Sequence, residues 1–277
     1  MKKDFVLITR KNEKIRITTY GFENINSAPC LILVHGFKGF KDWGFWPYIG
    51  NYFADNGYFV ITFNFSHNGI GEKLTEFTEL EKFASNTFSL ECEELNEIID
   101  AYLNGFFEAK NTSKIGIVGH SRGGGEVLLV SSRRKEIGAV TLWSSVADFD
   151  RYTERQKNEW RKNGSFEVLN TRTNQMMKLN VSLLEDLEQN KDGSLNLEKA
   201  ARNLEKPMLI LHGEQDLAVQ IKEAEKIYSW SDKEKTEFFK IIGAGHTFDI
   251  SHPFNGSNRK LDFVLEKTIK FFNKNLN

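Results

Sequence analysis

Two cysteines in 277 residues are too few for a disulfide framework. Cys30 lies in a continuous apolar run and Cys92 in a segment of amphipathic helical pattern, so both are expected to pack as buried thiols. The six histidines offer no spacing suited to zinc, so no metal is expected. There is no nucleotide-binding glycine fingerprint, and no organic cofactor is expected. No apolar stretch approaches the roughly 20 residues of a membrane-crossing helix. The run Phe5-Val6-Leu7-Ile8 also falls short of the roughly 7–15 apolar residues of a secretory core. A soluble, cytoplasmic chain with no membrane partner is the expectation. The formal net charge is only −1, which provides no global field to draw in nucleic acid or an anionic membrane. Local Lys/Arg clusters are interleaved with Glu and Asp, as on solvated faces. No internal repeat or low-complexity tract is evident.

What is present can fill a sizeable core: 40% of residues are hydrophobic and 27% charged, at a length within range of one large α/β domain. Phe5–Thr9 and Ile15–Thr19 predict an antiparallel hairpin at one edge of a sheet. Cys30–Val34 has the continuous apolar character of a buried parallel strand. Trp46–Asn56 reads as a helix closed by Gly57, and Tyr58–Phe65 as the next strand. In Asn86–Phe107, Leu95, Ile98, Ile99, Tyr102, Leu103 and Phe106 recur at helical spacing. Strands follow at Ile115–Val118, Gly138–Trp143, Met208–Leu211 and Thr236–Ile242. Helices are expected at Arg122–Arg134, Ile221–Trp230 and Leu261–Phe272. This alternation implies a mostly parallel sheet with helices on both faces.

Asp150–Lys206 breaks the alternation, being too long for a simple crossover. Its helical-looking segments Glu154–Arg161, Gln175–Gln189 and Leu197–Leu204 suggest a helical cap over 150–206, inserted into a core of 1–149 and 207–277. A surface excursion unrelated to any site is the plainer alternative.

Gly119-His120-Ser121-Arg122-Gly123 fits Gly-x-Ser-x-Gly and sits between an apolar strand and a helix. A serine on so sharp a turn has a strained backbone, and only small residues two positions either side avoid clashes. The turn lifts the hydroxyl above the sheet and aims helix N-terminal amides at the place where negative charge develops. An idle serine in a glycine-rich turn is the bland alternative.

With Val34-His35-Gly36-Phe37, Gly119 to Gly124, Leu211-His212-Gly213-Glu214-Gln215-Asp216 and Gly243-Ala244-Gly245-His246, the chain resembles the α/β-hydrolase family over nearly its whole length. It is most similar to small serine esterases related to cinnamoyl and feruloyl esterases and to dienelactone-hydrolase-like proteins. Dienelactone hydrolases proper use cysteine where this chain has Ser121, which disfavours that activity.

In such a fold the nucleophile is followed by an acid and then a histidine base. Of the six histidines, His246 and His252 come after the plausible acids, and the resemblance assigns the base to His246. His252 reads as a loop residue, and His35 and His212 as loop braces. His120 is expected to point away from Ser121 into packing, and His67 is a candidate for the pocket wall. The resemblance gives the acid to Asp216; Asp148 and Asp150 compete for the role, with Glu214 and Asp249 weaker.

An oxyanion hole needs two N–H donors about 3 Å from the developing charge. The amides of Arg122 and Phe37 are the candidates. The aromatics Phe37, Phe40, Trp43, Phe45 and Trp46 either wall a substrate pocket, with Phe40 and Trp43 as contacts, or pack beneath the following helix. The Arg122 side chain either pairs with an acidic neighbour or meets an anionic substrate. The leading functional expectation is hydrolysis of a small carboxylic ester through an acyl-enzyme. A serine peptidase or amidase, and a ligand-binding protein on a hydrolase scaffold, are the alternatives.

Overall fold

The computed structural model of the chain describes residues 1–108 and 114–276. Strands β1 (Lys3–Ile8) and β2 (Lys14–Tyr20) form the expected antiparallel hairpin. Every second residue of β1 is exposed, as suits an edge strand. Strand β3 (Cys30–Val34) is followed by helix α1 (Trp46–Asp55) and strand β4 (Phe59–Asn64). Both strands are buried throughout and pair in parallel, which accounts for their unbroken apolar character. A short helix α2 (Leu80–Ala84) gave no signal in the sequence; five residues are too few to show a helical period.

Helix α3 (Phe88–Leu103) is shorter than its apolar periodicity suggests. Thr87 begins it by accepting the Leu90 amide on its hydroxyl at 3.1 Å, and Asn104 and Gly105 end it. Strand β5 (Ile115–His120), helix α4 (Arg122–Ser131) and strand β6 (Ile137–Trp143) complete the first half of the molecule.

The segment between β6 and the next core strand is not all-helical, which corrects the expectation for 150–206. Helix α5 (Glu154–Asn163) is followed by a hairpin of β7 (Ser165–Asn170) and β8 (Gln175–Asn180). Helices α6 (Val181–Asn190) and α7 (Leu197–Arg202) come after it. In β8, Met177 and Leu179 are buried while Met176 and Lys178 face solvent. That two-residue alternation belongs to a strand, and it was masked by the leucines that follow in α6. Trp160 of α5 is fully buried against Tyr152 and Phe166, and with Met177 and Leu179 it joins the one hydrophobic cluster that includes the sheet core.

Strand β9 (Met208–Gly213), helix α8 (Ile221–Trp230), strand β10 (Thr236–Ile241) and helix α9 (Arg259–Leu276) close the fold. Among the described residues eight strands form one sheet in the order β1-β2-β4-β3-β5-β6-β9-β10. From β4 to β10 all pairings are parallel, so the carboxyl ends of these strands share one edge. Ligand sites of open α/β sheets form outside that edge. Cys30 and Cys92 are free and buried, as expected. No helix among the described residues is long and apolar enough to cross a membrane.

Candidate active site

Ser121 occupies the sharp turn between β5 and α4 with φ 60° and ψ −124°, a left-handed conformation that a side-chain-bearing residue adopts only under constraint. Its amide donates to Trp143 O at 2.9 Å, while its carbonyl accepts the amides of Gly124 and Val146. The flanking glycines are required by contact. A Cβ on Gly119 would stand 2.4 Å from Gly123 O, and one on Gly123 would stand 2.5 Å from His35 O.

The serine hydroxyl lies 3.0 Å from His246 Nε2, and His246 Nδ1 lies 2.7 Å from Asp216 Oδ2. His246 rides the loop after β10, and Asp216 the loop after β9. Asp216 is secured before it meets the imidazole. Its Oδ1 accepts the amides of Ala218 and Val219 at 2.9 and 2.8 Å, and His212 Nε2 stands 3.4 Å from Oδ2. Burial pushes this carboxyl up, but the nearby His212 Nε2 and the bond from His246 outweigh it and hold the group well below the usual carboxylate range. A fixed anion on Nδ1 leaves Nε2 free to accept the serine proton.

The rival acids have other partners. Asp148 is exposed and accepts the Asp150 amide, while Asp150 accepts from Lys157 at 2.6 Å. Asp249 accepts the Gly245 amide and pairs with Lys260, bracing the loop that carries His246. Glu214 is exposed. His252 accepts the Gly44 amide at 3.0 Å and stacks on Trp43. His212 Nε2 also donates to Val219 O at 2.7 Å, closing the Asp216 loop. His35 meets the Gly36 carbonyl at 3.0 Å, and burial pushes its imidazole down to about 4. His120 is buried among Phe45, Trp46 and His246.

Gly36 lies directly against the Ser121 turn: a Cβ there would be 2.8 Å from both Ser121 Cβ and His120 O, and 3.2 Å from Arg122 N. The loop bearing the Phe37 amide therefore runs beside the Arg122 amide. Arg122 opens α4, where an amide has no partner within the helix. The two candidate oxyanion donors thus flank Ser121.

The Arg122 side chain turns inward, donating from Nη2 to Glu91 Oε1 at 2.6 Å, with Nε 3.5 Å from Glu126 Oε1. Glu91 and Glu126 are almost fully buried. Burial and the adjacent Glu91 raise Glu126 well above its ordinary range. Burial also pushes Glu91 up, yet the Arg122 charge outweighs it and holds Glu91 low. The pair thus carries one negative charge and one proton, and it neutralises Arg122.

A cleft of about 400 Å³ opens beside Ser121 and His246. Phe37, Phe88, Val146, Phe149 and Tyr152 supply its apolar wall. Three residues proposed for that wall stand elsewhere. Phe40 packs on Phe77 and His252, and Trp43 packs on Phe45 and His252 beneath the Arg172 guanidinium. His67 is tied to the Ser66 hydroxyl at 2.7 Å. Of the aromatic cluster after β3, Phe37 borders the cleft and the others pack in the core. Lys38, Arg151 and Arg172, which gave no sequence signal, also line the cleft.

A family model described as alpha/beta hydrolase fold matches residues 29–178, and one described as BAAT / Acyl-CoA thioester hydrolase C terminal matches residues 104–261. No curated protein matches the chain by sequence. Among solved structures, the esterase domain of a Rhodothermus marinus protein is similar at TM-score 0.65 and 19% identity, covering 100% of both chains. Est1E from Butyrivibrio proteoclasticus, with ferulic acid bound, is similar at TM-score 0.73 and 17% identity, covering 98% of both chains. The Pyrococcus furiosus esterase Pf2001 is similar at TM-score 0.67 and 16% identity over 100% of this chain and 92% of its own. At these identities the likeness is one of fold.

Proposed function

The chain belongs to the α/β-hydrolase family, and from that premise we propose that this hydrolase is a serine esterase acting on small carboxylic esters. The observation that carries the proposal is the continuous hydrogen-bonded chain from Ser121 Oγ through His246 to a buried, fixed Asp216. In the proposed reaction Ser121 attacks the ester carbonyl as His246 Nε2 takes its proton. The amides of Phe37 and Arg122 receive the developing oxyanion. His246 then protonates the departing alcohol, leaving an acyl-Ser121 ester. Water, deprotonated by His246, attacks that ester and releases the acid and free Ser121. Asp216 keeps Nδ1 protonated and offsets the imidazolium charge throughout. No step calls on a metal or organic cofactor. Residues 150–206 are proposed as the cap, because Arg151, Tyr152 and Arg172 from this segment border the cleft.

A thioester reading has its own support in the match to the BAAT / acyl-CoA thioester hydrolase C-terminal model. The same attack on a thioester carbonyl would release a thiol in place of an alcohol. A panel of p-nitrophenyl esters, acyl thioesters and amino-acid p-nitroanilides separates the readings. Ester turnover lost in Ser121→Ala supports the esterase, thioester turnover in excess of ester turnover favours the second reading, and dominant anilide turnover moves the protein to the amidases. Absence of turnover together with absence of fluorophosphonate labelling would sink all three.

A further inference from the structure

We propose that Lys38, Arg151 and Arg172 form an anion-recognition rim over the Ser121 cleft, so that the substrate is an ester bearing a carboxylate or phosphate group. This rests on the reading of Ser121 as nucleophile and names the substrate class for that same site.

The three cations come from separate parts of the fold. Lys38 follows the oxyanion loop, Arg151 begins the inserted segment, and Arg172 sits at the turn of its hairpin. They converge on one cleft in a chain whose formal net charge is −1. Among the described residues none of the three has a carboxylate partner; each is held by a main-chain carbonyl instead. Lys38 Nζ donates to Leu169 O at 3.2 Å, Arg172 Nη1 to Lys38 O at 3.3 Å, and Arg151 Nη2 to Ala218 O at 2.6 Å. Arg133 and Lys206 are also held by carbonyls, but singly and apart from the cleft, whereas Arg134 pairs with Asp100 and Glu136, and Lys157 with Asp150.

A carbonyl fixes a cation in place without cancelling its charge. The Arg172 guanidinium also lies 4.7 Å from the centre of the Trp43 ring, which orients its plane and leaves donors unused. Lys38 and Arg172 stand close enough to repel; burial first, and the Arg172 charge second, push the Lys38 ammonium below its ordinary range. Arg122 lies beneath the cleft wall against Phe37 and Phe88, with its charge offset by Glu91. Asp148 is the carboxylate bordering the cleft, and it accepts the Asp150 amide. Three cations against one carboxylate at the mouth of a cleft concentrate positive potential where a substrate enters. Carboxylate and phosphate are the anions that a guanidinium fork binds in two-point fashion.

The test compares matched esters on the full chain. p-Nitrophenyl hemiglutarate is set against p-nitrophenyl valerate for an anionic acyl group, and 4-acetoxyphenyl phosphate against phenyl acetate for an anionic leaving group. In at least one pair kcat/KM should favour the anion by about tenfold, the scale of one charge-assisted hydrogen bond. That ratio should shrink as salt is raised, and Arg151→Gln and Arg172→Gln should each lower it. The pair showing the preference tells whether the charge lies on the acyl side or the leaving group. Equal kcat/KM in both pairs, or a ratio untouched by both substitutions, overturns the rim. Binding of monomethyl glutarate and phenyl phosphate to Ser121→Ala, by calorimetry, separates the two ideas. Anion binding that the double arginine variant loses, in a protein whose wild type cleaves nothing, keeps the rim and rejects the serine. Turnover without charge preference does the reverse.

Discussion

The His120 imidazole donates from Nε2 to the main-chain carbonyl of His246, 2.9 Å away. A carbonyl can only accept, which fixes the tautomer. Burial, with the His246 charge second, pushes His120 down to about 3, so it stays neutral while the neighbouring imidazole changes charge. The residue beside Ser121, the proposed nucleophile, therefore anchors the backbone of His246, the proposed base.

Removing that anchor should loosen His246 relative to Ser121 while leaving both residues in the sequence; the His120 ring also packs on the His246 ring, with centroids 4.7 Å apart. His120→Phe keeps the aromatic packing on Phe45 and Trp46 but leaves the carbonyl without its donor. We expect kcat to fall by about tenfold, matching one lost buried hydrogen bond. The apparent pKa of the base in the kcat/KM–pH profile should also move, and His120→Gln, which retains a donor, should recover part of both. A pH profile superimposable on wild type would show that His120 only fills space.

The Glu91–Glu126 pair beneath Arg122 makes an asymmetric prediction. Glu126 holds the proton, so Glu126→Gln replaces a neutral acid by a neutral amide of the same shape and should change unfolding free energy by less than about 1 kcal/mol. Glu91→Gln removes the ionised partner of Arg122, and Glu126 can then ionise in its place, so its cost should be intermediate. The double variant leaves a buried guanidinium without a counter-charge and should lose about 3–5 kcal/mol. Urea unfolding of the three variants measures the order, and equal costs for the two single variants would contradict it.

The parallel core was legible because a strand covered on both faces needs an unbroken apolar run, and Cys30–Val34 is such a run. Ser121, Asp216 and His246 were legible because each sits at the carboxyl end of a strand, inside a glycine-bearing motif that the backbone itself requires. The β7–β8 hairpin was not, since the strand alternation of Gln175–Asn180 runs straight into the leucines of α6. Periodicity also says which residues share a face of one element, but not which elements meet. Phe40, Trp43 and His67, expected at the cleft wall, therefore stand elsewhere, and Lys38, Arg151 and Arg172 carry no local signal that brings three different stretches of chain together.

Glu94 gives the fold a pH-dependent weakness. It is buried, accepts the Ser66 amide at 2.9 Å, and is bonded to the Ser66 hydroxyl. Burial raises its carboxyl to about 7 from an ordinary 4.5, against the lowering effect of the Ser66 bonds. Between those values the folded chain holds a proton that the unfolded chain has released, so stability falls as pH rises through the window. Glu94→Gln does not titrate. Its stability relative to wild type should therefore improve from pH 5 to pH 8 by on the order of 2 kcal/mol. Denaturant midpoints at the two pH values check this, and a difference that stays constant or reverses sign would reject it.

Gly36→Ala tests the oxyanion geometry without altering any side chain of the proposed reaction. The added methyl would meet Ser121 Cβ and His120 O at 2.8 Å, and those atoms belong to a turn already locked by Trp143 O and Val146 N. The loop bearing the Phe37 amide has to yield, moving that donor away from the Arg122 amide. The Ser121–His246–Asp216 bonds do not pass through this loop and should persist. The expected loss is in kcat, by about 10²-fold, as for removal of one oxyanion donor, with a smaller change in KM. Fluorophosphonate labelling of Ser121 should slow in parallel, because the phosphonyl oxygen uses the same two amides. Retention of wild-type kcat in a folded Gly36→Ala protein would mean that the Phe37 amide does not take part.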